Sequence, residues 1–174
     1  MRKVLRASFF ARPAAEVARR LLGKYLVRGG RSEPCSSIIT ETEAYEGPHD
    51  LACHSSRGRT LRTEVMFGPP GRFYVYRIYG LHWMLNLVTR PGAAVLIRAV
   101  DDAIGPGRVT SCLGIDASFN GAKAYPRTGL WFEEDLGQRP PASEIVRTAR
   151  IGVEYAGPTW GTKKLRFVLR SGRN

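Results

Sequence analysis

Apolar positions along this chain repeat with two periods, and the switches between them mark its elements. Ala14, Val17, Ala18, Leu21 and Leu22 recur at helical spacing, so residues 13–22 are predicted as a helix, with Pro13 in its first turn and Gly23 at its C-terminal cap. A strand is expected over 24–27, then a polar turn over 28–34 around Gly29-Gly30. Residues 37–45 read as a strand that carries carboxylates. Residues 47–62 read as a long loop holding His49, Asp50, His54 and Arg57; a loop of this length inside a domain tends to be functional or disordered. Residues 73–78 are aromatic and β-branched, and 81–88 are apolar, with Tyr79-Gly80 between them as a tight turn. A nearly continuous apolar strand follows over 93–100, broken only by Arg98. Gly105-Pro106-Gly107 opens a short helix ending at Gly114. Residues 118–128 are loop-like, 130–133 and 144–153 are strand pieces, and 164–169 is a closing strand.

Period two assigns faces. In the hairpin, Tyr74, Tyr76 and Ile78 share one side, while Phe73, Val75, Arg77 and Tyr79 share the other. Both sides are heavy, which suits an ordinary core hairpin or a tip that presents Tyr79 to a partner. In the strand before it, Glu41, Glu43 and Tyr45 face one way and Thr40, Thr42 and Ala44 the other. Two glutamates on one face repel unless a cation or a function holds them. The pair fits either a solvated edge strand or a carboxylate placed in a dry pocket to activate water. Arg98 is expensive to bury unless paired, and Glu43 or Glu41 is its candidate partner; snorkelling at a strand end is the other option.

Charge adds a partner class. The 174 residues carry 27 Lys+Arg against 15 Asp+Glu, a net charge of +12. That excess favours a polyanion, nucleic acid above all. The length suits one domain, 1–174, and no repeat or linker divides it. Three cysteines imply no disulfide framework, no signal peptide is visible and no apolar run approaches a membrane span, so a reducing cytoplasm is expected.

Several chemistries lack their motifs. There is no CxxC or HExxH, and the His49, Cys53, His54 and His82 spacing is not a usual zinc pattern, so no metal is expected. No Walker loop, GxGxxG or GxSxG is present, so no nucleotide cofactor or serine nucleophile is expected. No lysine lies between Lys24 and Lys123, so this central region offers no side-chain amine for a Schiff base. If the protein removes bases, water is the expected nucleophile. A non-catalytic nucleic-acid-binding domain and a small-molecule hydrolase using Glu43 are the alternatives.

Taken in order, Glu41-Thr42-Glu43-Ala44-Tyr45, His54-Ser55, Met66-Phe67-Gly68-x-Pro70-Gly71, Tyr74-Val75-Tyr76-x-Ile78-Tyr79-Gly80, Asn86 and Leu96-Ile97-Arg98-Ala99 resemble the alkyladenine (3-methyladenine) DNA glycosylase family. The flanks agree from Arg12-Pro13 to Leu165-Arg166-Phe167. The resemblance implies an α+β fold, a single compact domain on a curved, mainly antiparallel sheet with a protruding β-hairpin and peripheral helices. It implies a monomeric, cofactor-free enzyme of base excision repair that acts on double-stranded DNA containing damaged purines in the cytoplasm, associated with the nucleoid through DNA. Glu43 matches the residue that activates water, and Arg98 one that positions that water and carboxylate. Tyr45, His54 and Tyr76 match the slot that stacks the extruded purine. Asn86 matches a floor residue that opposes guanine's exocyclic amine, and Tyr79 the wedge that fills the gap in the duplex. Glu41 aligns outside the catalytic position. Thr63 departs from the family's common Asn, and the chain stops at Asn174, just after the closing strand.

Overall fold

In the computed structural model, which describes residues 1–30, 33–137 and 140–170, the carboxylate strand runs 11 residues and is the longest element among them. In chain order the elements are β1 (Arg2–Val4), α1 (Ala7–Phe10), α2 (Ala14–Leu21), β2 (Tyr25–Arg28), β3 (Cys35–Tyr45), β4 (Phe73–Ile78), β5 (His82–Val88), β6 (Ala94–Val100), β7 (Ala103–Ile104), α3 (Pro106–Cys112), β8 (Leu130–Asp135), β9 (Ile145–Thr148), α4 (Gly157–Thr162) and β10 (Arg166–Leu169). The strands β1-β8-β2-β3-β6-β5-β4 lie side by side in that order, β10 joins β3 to β9, and β7 extends from β6. Every pairing is antiparallel, so the fold is α+β as expected.

β3 changes partners along its length. Residues 35–38 pair with β2; beyond them the strand lies between β6 and β10. The ladder with β6 is irregular where this change occurs. Glu41 faces Ala99 and Thr42 faces Ile97, so Arg98 is an extra residue on β6; Thr40 is the extra residue on β3. Such bulges bend a strand and re-aim a side chain, and they recur beside active sites. The Arg98 carbonyl is satisfied instead by the Gly105 N–H at 3.0 Å.

The two faces of β3 have different fates. Thr42 Oγ1 donates to the Ala18 carbonyl of α2 at 2.9 Å, and Ala44 joins the main core. Val17, Ala18 and Leu21 of α2 are fully buried there, each large apolar side chain worth roughly 1.5–3 kcal/mol. Glu41, Glu43 and Tyr45 face away from α2. On the hairpin, Phe73 and Val75 enter the main core, while Tyr74 and Tyr76 pack in a second cluster with Cys53, Met66, Val88 and Ala94.

Several boundaries differ from the sequence reading. The helix at 13–22 is Ala14–Leu21, with Pro13 just before its first turn. β1 and α1 precede it in a stretch that reads only as basic, because three or four residues are too few to show a period. The piece expected at 144–153 ends as a strand at Thr148: Arg150 turns inward, and the Ile151 N–H leaves the ladder to meet a side chain. α4 forms from Gly-Pro-Thr-Trp-Gly-Thr, a run with little helical propensity of its own. The loop at 47–62 is ordered by turns and buried polar anchors, Asp50 and Ser55 among them. The turn at 28–34 includes Arg31 and Ser32, and the chain end includes Asn174; these lie outside the described residues. Among the described residues no helix is long and apolar enough to cross a membrane.

Candidate active site

The hairpin, the 47–67 loops and the segment after β9 enclose a cavity of about 260 Å³. Tyr45, His54, Tyr76, Tyr79, Asn86 and Arg98 all border it. Sequence reasoning picked these six from positions up to 53 residues apart. Glu43 stands behind the lining, fully buried. The space falls just below the roughly 300–1,000 Å³ of drug-sized sites, which suits one flat ring system.

Glu43 is held from three sides. Its Oε2 accepts from the Tyr45 hydroxyl at 3.0 Å, and its Oε1 from the Ile151 N–H at 2.9 Å. Arg98 NH1 stands 3.4 Å from the same Oε1. Burial pushes the Glu43 carboxyl up; Arg98, the Ile151 N–H and the Tyr45 hydroxyl pull against it without cancelling it. The result is a carboxylate of raised basicity, as a proton acceptor needs. The Tyr45 phenol is pushed well above its ordinary range by burial and then by Glu43, so it stays protonated and donates.

Arg98 does not snorkel. It is mostly buried, and its Nε donates to Glu41 Oε1 at 2.7 Å. Glu41 is thus its tighter partner, and Glu43 the looser one. Arg166 of β10 donates its own Nε to that same Glu41 oxygen at 2.6 Å. Glu41 is therefore no bystander on this face. Although burial acts to raise it, the two arginines hold its carboxyl below the usual range.

The aromatic side chains that border the cavity are fixed from behind. Arg150 is buried, pairs in two-pronged fashion with Asp50 at 2.6 and 2.9 Å, and holds its guanidinium 4.8 Å from the centre of the Tyr45 ring. His54 meets Tyr76 edge-on at 4.6 Å between centroids and shares a 3.0 Å hydrogen bond with the Tyr74 hydroxyl through Nδ1. Burial, followed by the charges of Arg62 and Arg57, lowers its pKa to about 4, so His54 is neutral at neutral pH. Asn86 gives its Nδ2 to the Tyr74 and Met84 carbonyls at 3.2 and 3.4 Å; its Oδ1 takes no hydrogen bond among the described residues. Thr63 closes its own loop, bonding the Gly58 carbonyl at 2.9 Å and the Thr60 N–H at 2.8 Å.

The hairpin tip is a three-residue loop, 79–81, between the paired Ile78 and His82, not the two-residue turn expected. Tyr79 has φ 51°, uncommon for a residue with a side chain, and is 87 % exposed at the cavity mouth. Of the four residues weighed as metal ligands, His49 lies against Trp160, Cys53 hydrogen-bonds Ser55, His54 meets Tyr74, and His82 is exposed.

A model of the family "Methylpurine-DNA glycosylase (MPG)" matches residues 8–103 and 101–173. The chain belongs to that family. As a methylpurine-DNA glycosylase it is an enzyme acting on N-glycosyl bonds in DNA. It is 45 % identical over 183 residues to a protein of Myxococcus xanthus (strain DK1622), covering 96 % of this chain and 90 % of the other. It is 43 % identical over 180 residues to one of Legionella pneumophila (strain Paris), covering 98 % and 96 %. A third, from Methanocella arvoryzae (strain DSM 22066 / NBRC 105507 / MRE50), is 42 % identical over 177 residues, covering 88 % and 86 %. All three are provisionally named 3-methyladenine DNA glycosylases.

Sequence reasoning missed five residues that line or brace this candidate site: Asp50, Arg150, Ile151, Tyr155 and Arg166. Tyr155 borders the cavity and bonds the Ala52 carbonyl at 3.3 Å. Most act on partners 100 or more residues away, and Ile151 acts through its backbone. Arg150 gave no signal like that of Arg98, because Arg147 and Thr148 stand just before it and it interrupts no apolar run.

Proposed function

We propose that this glycosylase flips alkylated or deaminated purines out of duplex DNA and hydrolyses their N-glycosidic bond with water activated by Glu43. One observation carries the reading: a fully buried carboxylate of raised pKa stands beside Arg98, immediately behind an aromatic cavity of ring-system size. Burying a carboxylate is expensive, and Glu43, unlike Asp50 with its two-pronged arginine, meets its nearest cation only at 3.4 Å. A glycosidic bond inside a duplex is unreachable, so the nucleotide has to leave the stack.

The purine stacks between Tyr45 and the Tyr76–His54 wall. Stacking tolerates many bases, so selection falls to lesions that extrude easily and to the floor. There Asn86, its Nδ2 tied to the Tyr74 and Met84 carbonyls, opposes guanine by standing in the space its exocyclic amine would take. Glu43 takes a proton from water as it attacks the sugar C1′, and Arg98 orients both. The enzyme acts as a cytoplasmic monomer on double-stranded DNA, needs no cofactor and leaves an abasic site without cutting the strand. A panel of duplexes, each with one hypoxanthine, ethenoadenine or N-alkylpurine, tests the substrate class. Base should be released from lesions and not from matched undamaged duplexes. Equal inertness across the panel would contradict the proposal.

The wedge is tested separately. Tyr79→Ala should weaken capture of flipped lesions in duplex by about 1–3 kcal/mol, the scale of base–aromatic stacking, and change single-stranded substrates far less. Equal losses on both would make Tyr79 a general stacking residue.

A further inference from the structure

Glu41 is a buried charge that the proposed reaction does not use, yet it is paired with two arginines, one of which borders the cavity. One oxygen, Oε1, accepts from Arg98 Nε of β6 at 2.7 Å and from Arg166 Nε of β10 at 2.6 Å. Arg166 is further fixed by its NH1 to Thr148 Oγ1 at 3.1 Å. Four strands, β3, β6, β10 and β9, are tied at this point. The arrangement also decides what Arg98 can give to Glu43. With Nε spent on Glu41, Arg98 reaches Glu43 only through NH1 at 3.4 Å, outside the 2.7–2.9 Å of a full charge-assisted hydrogen bond.

We propose that Glu41 is a positioning residue: together with Arg166 it anchors Arg98 beside Glu43 but off it, leaving Glu43 free to accept a proton. This rests on the reading of Glu43 as the base. An arginine that closed fully on Glu43 would neutralise the group it is meant to assist. An arginine with no anchor would leave the bulge on β6 without a reason to aim into the cavity.

The charged and titratable groups facing Glu43 are Glu41 and Tyr45 on its own strand, Arg98 on β6, Arg166 on β10, Tyr76 on β4 and Arg150 from the segment after β9. Two substitutions should move Glu43 in opposite directions. Glu41→Gln keeps the side chain's shape but removes the charge that holds Arg98. The repulsion that helps raise Glu43 goes, and Arg98 is free to close on it, so Glu43 titrates at lower pH. Arg166→Gln leaves Glu41 with Arg98 alone. Arg98 is drawn further from Glu43 and a nearby cation is lost, so Glu43 titrates at higher pH.

The experiment follows the Glu43 side-chain carboxyl carbon by NMR in protein labelled with ¹³C-glutamate. The signal is assigned by its loss in Glu43→Gln. Single-turnover base release is measured against pH on the same variants. Glu43 should titrate lower than wild type in Glu41→Gln and higher in Arg166→Gln, with the acid limb of the rate profile following each. The plateau rate of Glu41→Gln should fall by about tenfold, the loss of well-oriented help from Arg98. If Glu41→Gln does not fold, the upward shift in Arg166→Gln decides alone. No shift, or shifts of the same sign in both variants, would overturn the inference, since general damage does not produce opposite displacements. Opposite carboxyl shifts with an unmoved acid limb would uphold the positioning role and overturn Glu43 as the base.

Discussion

Glu43→Gln is expected to lower single-turnover base release by at least about 10²–10⁴-fold, the usual scale for a general base, with lesion-DNA affinity nearly unchanged. The substitution is conservative in this setting. A glutamine oxygen can still accept from the Ile151 N–H and Arg98, and its amide can donate to a rotated Tyr45 hydroxyl. Only the capacity to take a proton is lost. The pH dependence has a definite sign. In the proposed mechanism the working form is the carboxylate, and burial raises its pKa. Wild-type activity should therefore fall on acidification at a higher pH than an ordinary glutamate would give. Single-turnover rates on one lesion duplex, with affinity from the same titration, check both parts. A variant that bound weakly but turned over normally would make Glu43 a binding residue.

Arg150→Met is expected to destabilise the fold by about 3–5 kcal/mol, because it strands Asp50 as a buried charge. The pair is fully shielded from solvent, and Asp50 also accepts from the Glu46 and Ala52 N–H groups at 3.0 and 3.1 Å. Arg150 in turn donates to the carbonyls of Ala44 and Trp160 at 2.9 and 3.2 Å. One ion pair thus closes the cavity loop onto the segment that supplies Ile151 to Glu43. Asp50→Asn combined with Arg150→Met should be less damaging than the sum of the two single changes, since the stranded charge is gone. Urea unfolding of wild type, both singles and the double measures the coupling. Strict additivity with small losses would mean that the pair contributes little. Because Arg150 also lies against the Tyr45 ring, the surviving Arg150→Met protein should stack lesions less well.

The parts of the site that could be read from sequence are those that obey a local period. Alternation placed Glu41, Glu43 and Tyr45 on one face and Tyr74 and Tyr76 on another, and the structure keeps both faces. Arg98 stood out as the charge in an apolar strand, but its choice of Glu41 over Glu43 did not, because it depends on a bulge. Bulges shift register by one residue and leave no mark in composition. The Asp50–Arg150 and Glu41–Arg166 pairs are invisible for a different reason. They join segments 100 and 125 residues apart, so only the packed fold brings them together. The loop around Asp50 has no period at all. Its order comes from buried polar anchors such as the Ser55 hydroxyl, which donates to the Gly92 carbonyl at 2.6 Å. Gly92 itself has φ 81°, and a Cβ there would lie 2.8 Å from Pro48 Cδ, so the turn and the loop fit only with glycine.

The central claim is hydrolysis by activated water, without an enzyme amine joined to the sugar. It is tested most directly by one single-turnover reaction on a duplex with a single hypoxanthine, run with and without borohydride. The free base is read by mass spectrometry and the strand by gel before and after alkali. The account predicts free hypoxanthine, a strand that stays whole until alkali cleaves it at the abasic site, and no protein–DNA adduct. Tight lesion binding with no base released, or a borohydride-trapped adduct, would contradict it.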